Sequence, residues 1–179
     1  DPTGAGWFTP DDEPSQTLLG EQVLRVFQES GAEIVAEDLG VVPDFVRDSL
    51  VRLAIPGCKV FRWERLWEIE GHPFVDPLDY PSLSVATSGT HDTETMVTWW
   101  DAAADDGRAA ALAIPLVTDR LGREACRTAL ETRALSPAVR DAFVEVLIAS
   151  NSELVILPVA DVFGWADRIN TPATVNHQN

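Results

Sequence analysis

The chain has 179 residues, 45% of them hydrophobic, enough to bury a real core in one domain or in part of one. Its formal charge of -16 at pH 7 argues against nucleic acid and against anionic membranes, which both select for basic patches, so a neutral ligand fits better. Two cysteines, Cys58 and Cys126, make neither a disulfide framework nor a metal-ligand spacing, which points to a reducing, cytoplasmic compartment, and no apolar run is long enough to span a bilayer.

The chain begins at Asp1 rather than at a methionine and ends at Asn179 in a polar segment that closes no element, so it is expected to be a piece of something longer. Residues 1–16, rich in Gly, Pro, Asp and Thr with Trp7 and Phe8 embedded, read as a loop with an aromatic anchor. Leu18, Leu19, Val23, Val26 and Phe27 then recur at helical spacing, predicting a helix that ends near Ser30 and Gly31.

Residues 31–53, GAEIVAEDLGVVPDFVRDSLVRL, hold the first stretch with a chemical signature. Ile34, Val35 and Ala36 form a short apolar run of the kind a parallel sheet buries, and it ends abruptly in Glu37 and Asp38. Pro43 suits a first helical turn, and Phe45, Val46, Leu50 and Leu53 continue at helical spacing. The two acids therefore lie between a strand's carboxyl end and a helix, where strand-helix barrels place their chemistry. The plain alternative is a surface turn in which Asp38 caps the helix and Glu37 faces water.

After the Pro56-Gly57 turn, residues 58–64, CKVFRWE, alternate as a strand crowned by Trp63, and a proline-punctuated loop fills 71–82. Residues 84–104, SVATSGTHDTETMVTWWDAAA, repeat the earlier plan with His91 and Asp92 at the mouth of a helix. Three helical patterns follow over 108–116, 120–133 and 137–150, so that 105–150 reads as a helical region. Residues 154–159, LVILPV, form the last strand candidate, turning sharply through Asp161 and Gly164, and 168–176 are a polar loop. Four strand-helix units in tandem predict an α/β fold with a parallel sheet and right-handed crossovers. That is either a small doubly wound sheet or half of a (β/α)8 TIM barrel, whose full form needs roughly 250 residues; the open ends favour half a barrel.

The stretches AEDLGVVPDFVR, CKVFRWE, LSVATSGTHDTETMVTWW and RINTPATVN resemble, in order and spacing, the bacterial 4-alpha-glucanotransferases, the amylomaltase or disproportionating-enzyme family. The resemblance runs from about Glu33 to Asn176. It implies a fragment of a TIM barrel, strands five to eight with their helices, making residues 1–179 the C-terminal half of a catalytic barrel. It further implies that Glu37 is the general acid/base, that Asp92 is the transition-state stabiliser, and that His91 holds the sugar at the cleavage site. Asn170 resembles a substrate contact of the family. The family's nucleophile, an aspartate in an Arg-x-Asp-His setting on the preceding strand, has no counterpart in this sequence, so the partners implied are α-1,4-glucans or maltooligosaccharides and the missing N-terminal half of the barrel. Alone, the polypeptide is expected to be inactive. No motif implies a cofactor or a metal.

These residue types suit a retaining glycosyl transfer, in which a carboxylate nucleophile and a carboxylic acid stand about 5 Å apart. A dry pocket and a neighbouring carboxylate would keep the proton on Glu37. By resemblance the acceptor is another glucan rather than water. Bland readings stand beside these. Asp92 suits an N-cap and His91 a structural histidine, and Asn170 before Thr-Pro suits an ordinary turn. Trp99 and Trp100 suit a core, while Trp63 at a strand end is the better sugar platform. Two other classes compete: a non-catalytic glucan-binding module, and a metal-dependent phosphohydrolase built from His91, Asp92, His72 and His177. Against the latter, no basic cluster awaits a phosphate.

Overall fold

The computed structural model describes residues 8–174, and the chain falls into two compact units, Asp1–Cys58 and Lys59–Asn179. In the first unit, α1 (Glu13–Glu29) starts inside the stretch expected to be loop. The acidic, proline-bearing residues just before it are a helix start: the Asp12 carboxylate accepts from Ser15 N at 2.9 Å, and Pro14 falls in the first turn, where its missing N–H costs nothing. Phe8 is 75% exposed, and Trp7 lies outside the described residues.

The apolar periodicity of α1 is real, but its face is not the buried one. Leu18, Leu19, Val23, Val26 and Phe27 are all exposed, and the helix contributes no fully buried residue. It docks on α2 (Asp44–Arg52) through its other side, where Leu24 packs beside Leu50, Leu53 and Ile55. Gln28 Nε2 donates to Leu53 O at 2.8 Å, and Arg52 grips Glu21 Oε1 with two donors. The expected strand at 34–36 shrinks to a single parallel bridge between Ala36 and Gly57, because Ala36 N finds Pro56 O while Val35 stays exposed.

Three strands form the sheet, in the order β1 (Gly57–Val60), β2 (Ser84–Thr87), β3 (Leu154–Val155). The β2 and β3 strands run parallel, with Val85 opposite Leu154 and Ala86 opposite Val155. Thus three short strands, and not four, are present among the described residues. The first ends at Val60, before a 3-10 turn over Phe61–Trp63, so the expected alternation to Glu64 is cut short. The last holds two residues because Pro158, just beyond it, cannot donate to a ladder and opens α8 (Val159–Phe163) instead.

The second unit is mostly helical: α3 (Met96–Ala102), α4 (Asp105–Leu112), α5 (Pro115–Leu121), α6 (Arg123–Thr132) and α7 (Pro137–Ile148). The pattern expected over 108–116 divides before Pro115, which starts a helix but cannot continue one, and that over 120–133 divides at Gly122, whose φ of 78° no helix accommodates. The core joins β2 to these helices around Trp100, Phe143, Phe61 and Tyr80. Trp100 is fully buried with its Nε1 on Arg133 O, and Trp99 sits edge-on to Phe61 and Phe74, so both are core residues.

Candidate functional site

In the first unit the two adjacent acids have opposite fates. Asp38 is nearly buried: its Oδ1 accepts from Cys58 N at 2.7 Å, and Arg47 lies 3.9 Å from Oδ2. It caps no helix, since α2 has Pro43 at its N-cap and no side-chain cap. A Cβ on Gly57 would stand 2.6 Å from Asp38 Oδ1, so the glycine is what lets the carboxylate reach the backbone. Glu37, by contrast, is exposed. Its carboxylate is open to a ligand or to water. Both acids are felt by Cys58, whose thiol pKa is pushed up first by burial, then by Asp38 and Glu37.

In the second unit the Gly-Thr-His-Asp motif is a loop of its own. Helix α3 begins only at Met96, capped by Thr95, whose hydroxyl accepts from Thr98 N. Asp92 is therefore not an N-cap, and the expected helix at Thr93 starts three residues late because Thr93 is spent inside the loop: its Oγ1 donates to Thr90 O and accepts from Thr90 N. Asp92 and His91 stand exposed at the tip, with His91 Nε2 3.5 Å from Asp92 Oδ2. The structure brings the tail motif to the same place. Asn170 Nδ2 donates to Asp92 Oδ1 at 2.5 Å, Arg168 Nη2 donates to Asp92 O at 2.9 Å, and Arg168 Nε holds Asn170 O. Asn170 is thus more than an ordinary turn residue.

Beside this cluster lies a cavity of about 270 Å³, with Ile156, Leu157, Pro158 and Ile169 as its apolar wall and His91, Glu94 and Arg168 among its polar lining. Trp63, at the end of the 3-10 turn after β1, is 45% exposed, as a stacking platform needs to be. His72 packs on Trp67 in the loop, and His177 lies outside the described residues. Among the described residues, no group of three or more His, Cys, Asp or Glu side chains converges as a metal ion would require.

Two charged residues beneath the loop were missed from the sequence. Arg62 is 5% exposed, with Nε on Ser88 O at 3.0 Å and Nη1 on Glu94 O at 2.7 Å. Burial pulls its pKa down, against the pull of Glu94 and Asp161. Asp161 is 1% exposed and accepts from Ser88 Oγ and from Met96 N. A signal existed for each. Arg62 falls between Phe61 and Trp63 in an apolar alternation, and Asp161 follows directly on an apolar run; a charge in such a place is paired or solvated through a network.

The model of glycoside hydrolase family 77, described as 4-alpha-glucanotransferase, matches residues 9–179. The chain belongs to this family. The 4-alpha-glucanotransferase of Chlamydia pneumoniae is 29% identical over all of the chain, which covers 34% of that protein. That of Chlamydia caviae is 40% identical over 101 residues, 56% of the chain and 19% of the relative. Among solved structures, the amylomaltase of Streptococcus agalactiae in complex with acarbose aligns with a TM-score of 0.61 at 24% identity, over 80% of this chain and 26% of that one. The amylomaltase of Corynebacterium glutamicum gives 0.64 at 17% identity, over 83% and 24%. The chain therefore carries the fold of part of an amylomaltase and spans between 19% and 34% of the length of these glucanotransferases. No described helix is long and apolar enough to cross a membrane.

Proposed function

We propose that this polypeptide is the C-terminal half of the catalytic barrel of a cytoplasmic 4-alpha-glucanotransferase, strands five to eight, which moves α-1,4-glucan segments between maltooligosaccharides by a retaining double displacement. The observation that carries the reading is the meeting of two motifs 78 residues apart, Asp92 of the Gly-Thr-His-Asp loop and Asn170 of the Arg-Ile-Asn turn. A structural cap would not need that partner, whereas a carboxylate that must hold one orientation against a sugar ring does.

In this mechanism Glu37 protonates the leaving glycosidic oxygen, and its carboxylate later takes the proton from the acceptor hydroxyl. The nucleophile is an aspartate on the N-terminal half of the barrel, which is this chain's necessary partner. Asn170 takes up Asp92 Oδ1, leaving Oδ2 and the neighbouring His91 to face sugar hydroxyls, whose hydrogen bonds strengthen as the ring flattens toward an oxocarbenium ion. Trp63 offers a face on which a glucose ring stacks. Glu37→Gln keeps the shape and removes the proton transfer. It should lower disproportionation of maltotriose, followed as glucose release, by about 10²- to 10⁴-fold while maltooligosaccharide binding stays within a few-fold. Undiminished turnover would refute the role of Glu37.

A second reading, a binding-only glucan module, is favoured by one fact: the 179 residues contain no Arg-x-Asp-His sequence. Maltooligosaccharide affinity with no glucose released, even when the N-terminal half of the barrel is supplied, would select it.

A further inference from the structure

The seven residues 89–95 that carry His91 and Asp92 belong to no helix or strand, yet both ends of the loop are tied by the same two buried charges. Arg62 reaches the carbonyl of Ser88 on the entering side, and the carbonyl of Glu94, with Glu94 Oε1 at 3.2 Å, on the leaving side. Asp161 does the same with the opposite sign: Oδ2 takes the Ser88 hydroxyl at 2.5 Å, and Oδ1 takes the backbone N–H of Met96 at 2.6 Å. Each side chain thus bridges the two ends of the loop. The backbone between them has no slack. A Cβ on Gly89 would lie 2.5 Å from Thr93 Oγ1 and 2.9 Å from Arg62 Nη2, so the chain threads between the guanidinium and Thr93.

Two charges this deeply buried are a costly way to hold a loop, since apolar residues of the same size often give equal or greater stability. Their distinguishing gift is direction: a guanidinium fork and a carboxylate each fix two partners at set angles. We propose that Arg62 and Asp161 are positioning residues that clamp the loop from beneath, so that Asp92 and His91 meet a glucan in a single geometry. The inference rests on the reading of Asp92 as the transition-state stabiliser. Neither residue touches the sugar; both act through the loop.

The test uses the natural polypeptide, at the length the cell makes it, with Arg62→Met, Arg62→Lys, Asp161→Ala and Asp161→Asn. Hydrogen exchange of the peptide covering 88–96 and the kinetics of maltotriose disproportionation are measured on each. Arg62→Met and Asp161→Ala should speed exchange in that peptide at least about 10-fold and lower kcat by roughly 10- to 100-fold with KM nearly unchanged, as expected of a misplaced catalytic group. Asp161→Asn, able to accept from Met96 N and donate to Ser88 Oγ, should recover most of kcat; Arg62→Lys, with a single nitrogen for two carbonyls, should recover little. Faster exchange with kcat untouched would overturn the positioning role, as would equal loss in all four variants with a collapsed melting transition. If the parent protein makes no glucose, or if Asp92→Asn leaves turnover intact, the glucan reading fails by itself, and the exchange rates still report whether the two charges hold the loop.

Discussion

At the scale of single residues, the pair Glu37 and Asp38 shows how much two neighbouring carboxylates can differ. Asp38 is committed to Cys58 N and hemmed in by Gly57, which leaves Glu37 as the free acid of the pair. Gly57→Ala tests this arrangement, because the new methyl must displace the Asp38 carboxylate from 2.6 Å and with it the contact that ties the turn to the first residues of β1. The cost should be about 1–3 kcal/mol, read as a shift in the urea midpoint. Asp38→Ala in the same background should then add little, since the contact is already lost; additive losses would show that Gly57 matters for another reason. The sequence set the two acids apart by resemblance and offered Asp38 only a helix to cap, because the group that claims Asp38 lies 20 residues further on.

At the scale of elements, helix existence was legible and helix facing was not. The helix expected over 137–150 is α7, which begins at Pro137 with the Ser136 hydroxyl accepting from Val139 N. The stripe Leu18, Leu19, Val23, Val26, Phe27 correctly predicted α1, yet α1 packs by its opposite side; periodicity reports that a face is apolar and says nothing of what covers it. Strands were overread for a related reason, since β3 stops within two residues once Pro158 withdraws its donor. The start of α4 depends on charge. Asp105 accepts from Arg108 Nη2 at 2.7 Å and from Arg133 Nη2 at 2.5 Å, and these bonds, Arg108 first, hold its carboxyl below the usual range. A depressed folded pKa contributes stability above the unfolded value and loses it as pH falls through the folded one. Asp105→Asn should therefore lower the thermal midpoint at neutral pH, and the gap between variant and parent should close as the pH falls through and below the ordinary carboxylate range. A gap that persists there would mean that the residue acts by shape rather than by charge.

At the scale of the whole molecule, the exposed apolar side chains are the observation that bears on what the chain needs beside it. In the first unit, Leu18, Val23, Val26 and Phe27 stand in water along one face of α1; in the second, Phe163 and Trp165 stack on each other at 5.1 Å with both rings exposed. An apolar face such as the one along α1 marks a surface that another body covers. In the proposed enzyme that body is the N-terminal half of the barrel, the same half that must bring the nucleophile. Two consequences should therefore travel together. The 179-residue chain by itself should brighten a hydrophobic dye such as ANS while keeping its helical far-UV signal, and replacing Leu18 and Phe27 with Glu should remove most of the first unit's share of that signal. Supplying the N-terminal half should quench the dye response and, over the same concentration range, start glucose release from maltotriose. Dye quenching without turnover would leave a glucan-binding module completed by its partner. Turnover without quenching would mean that the exposed face of α1 is not where the two halves meet.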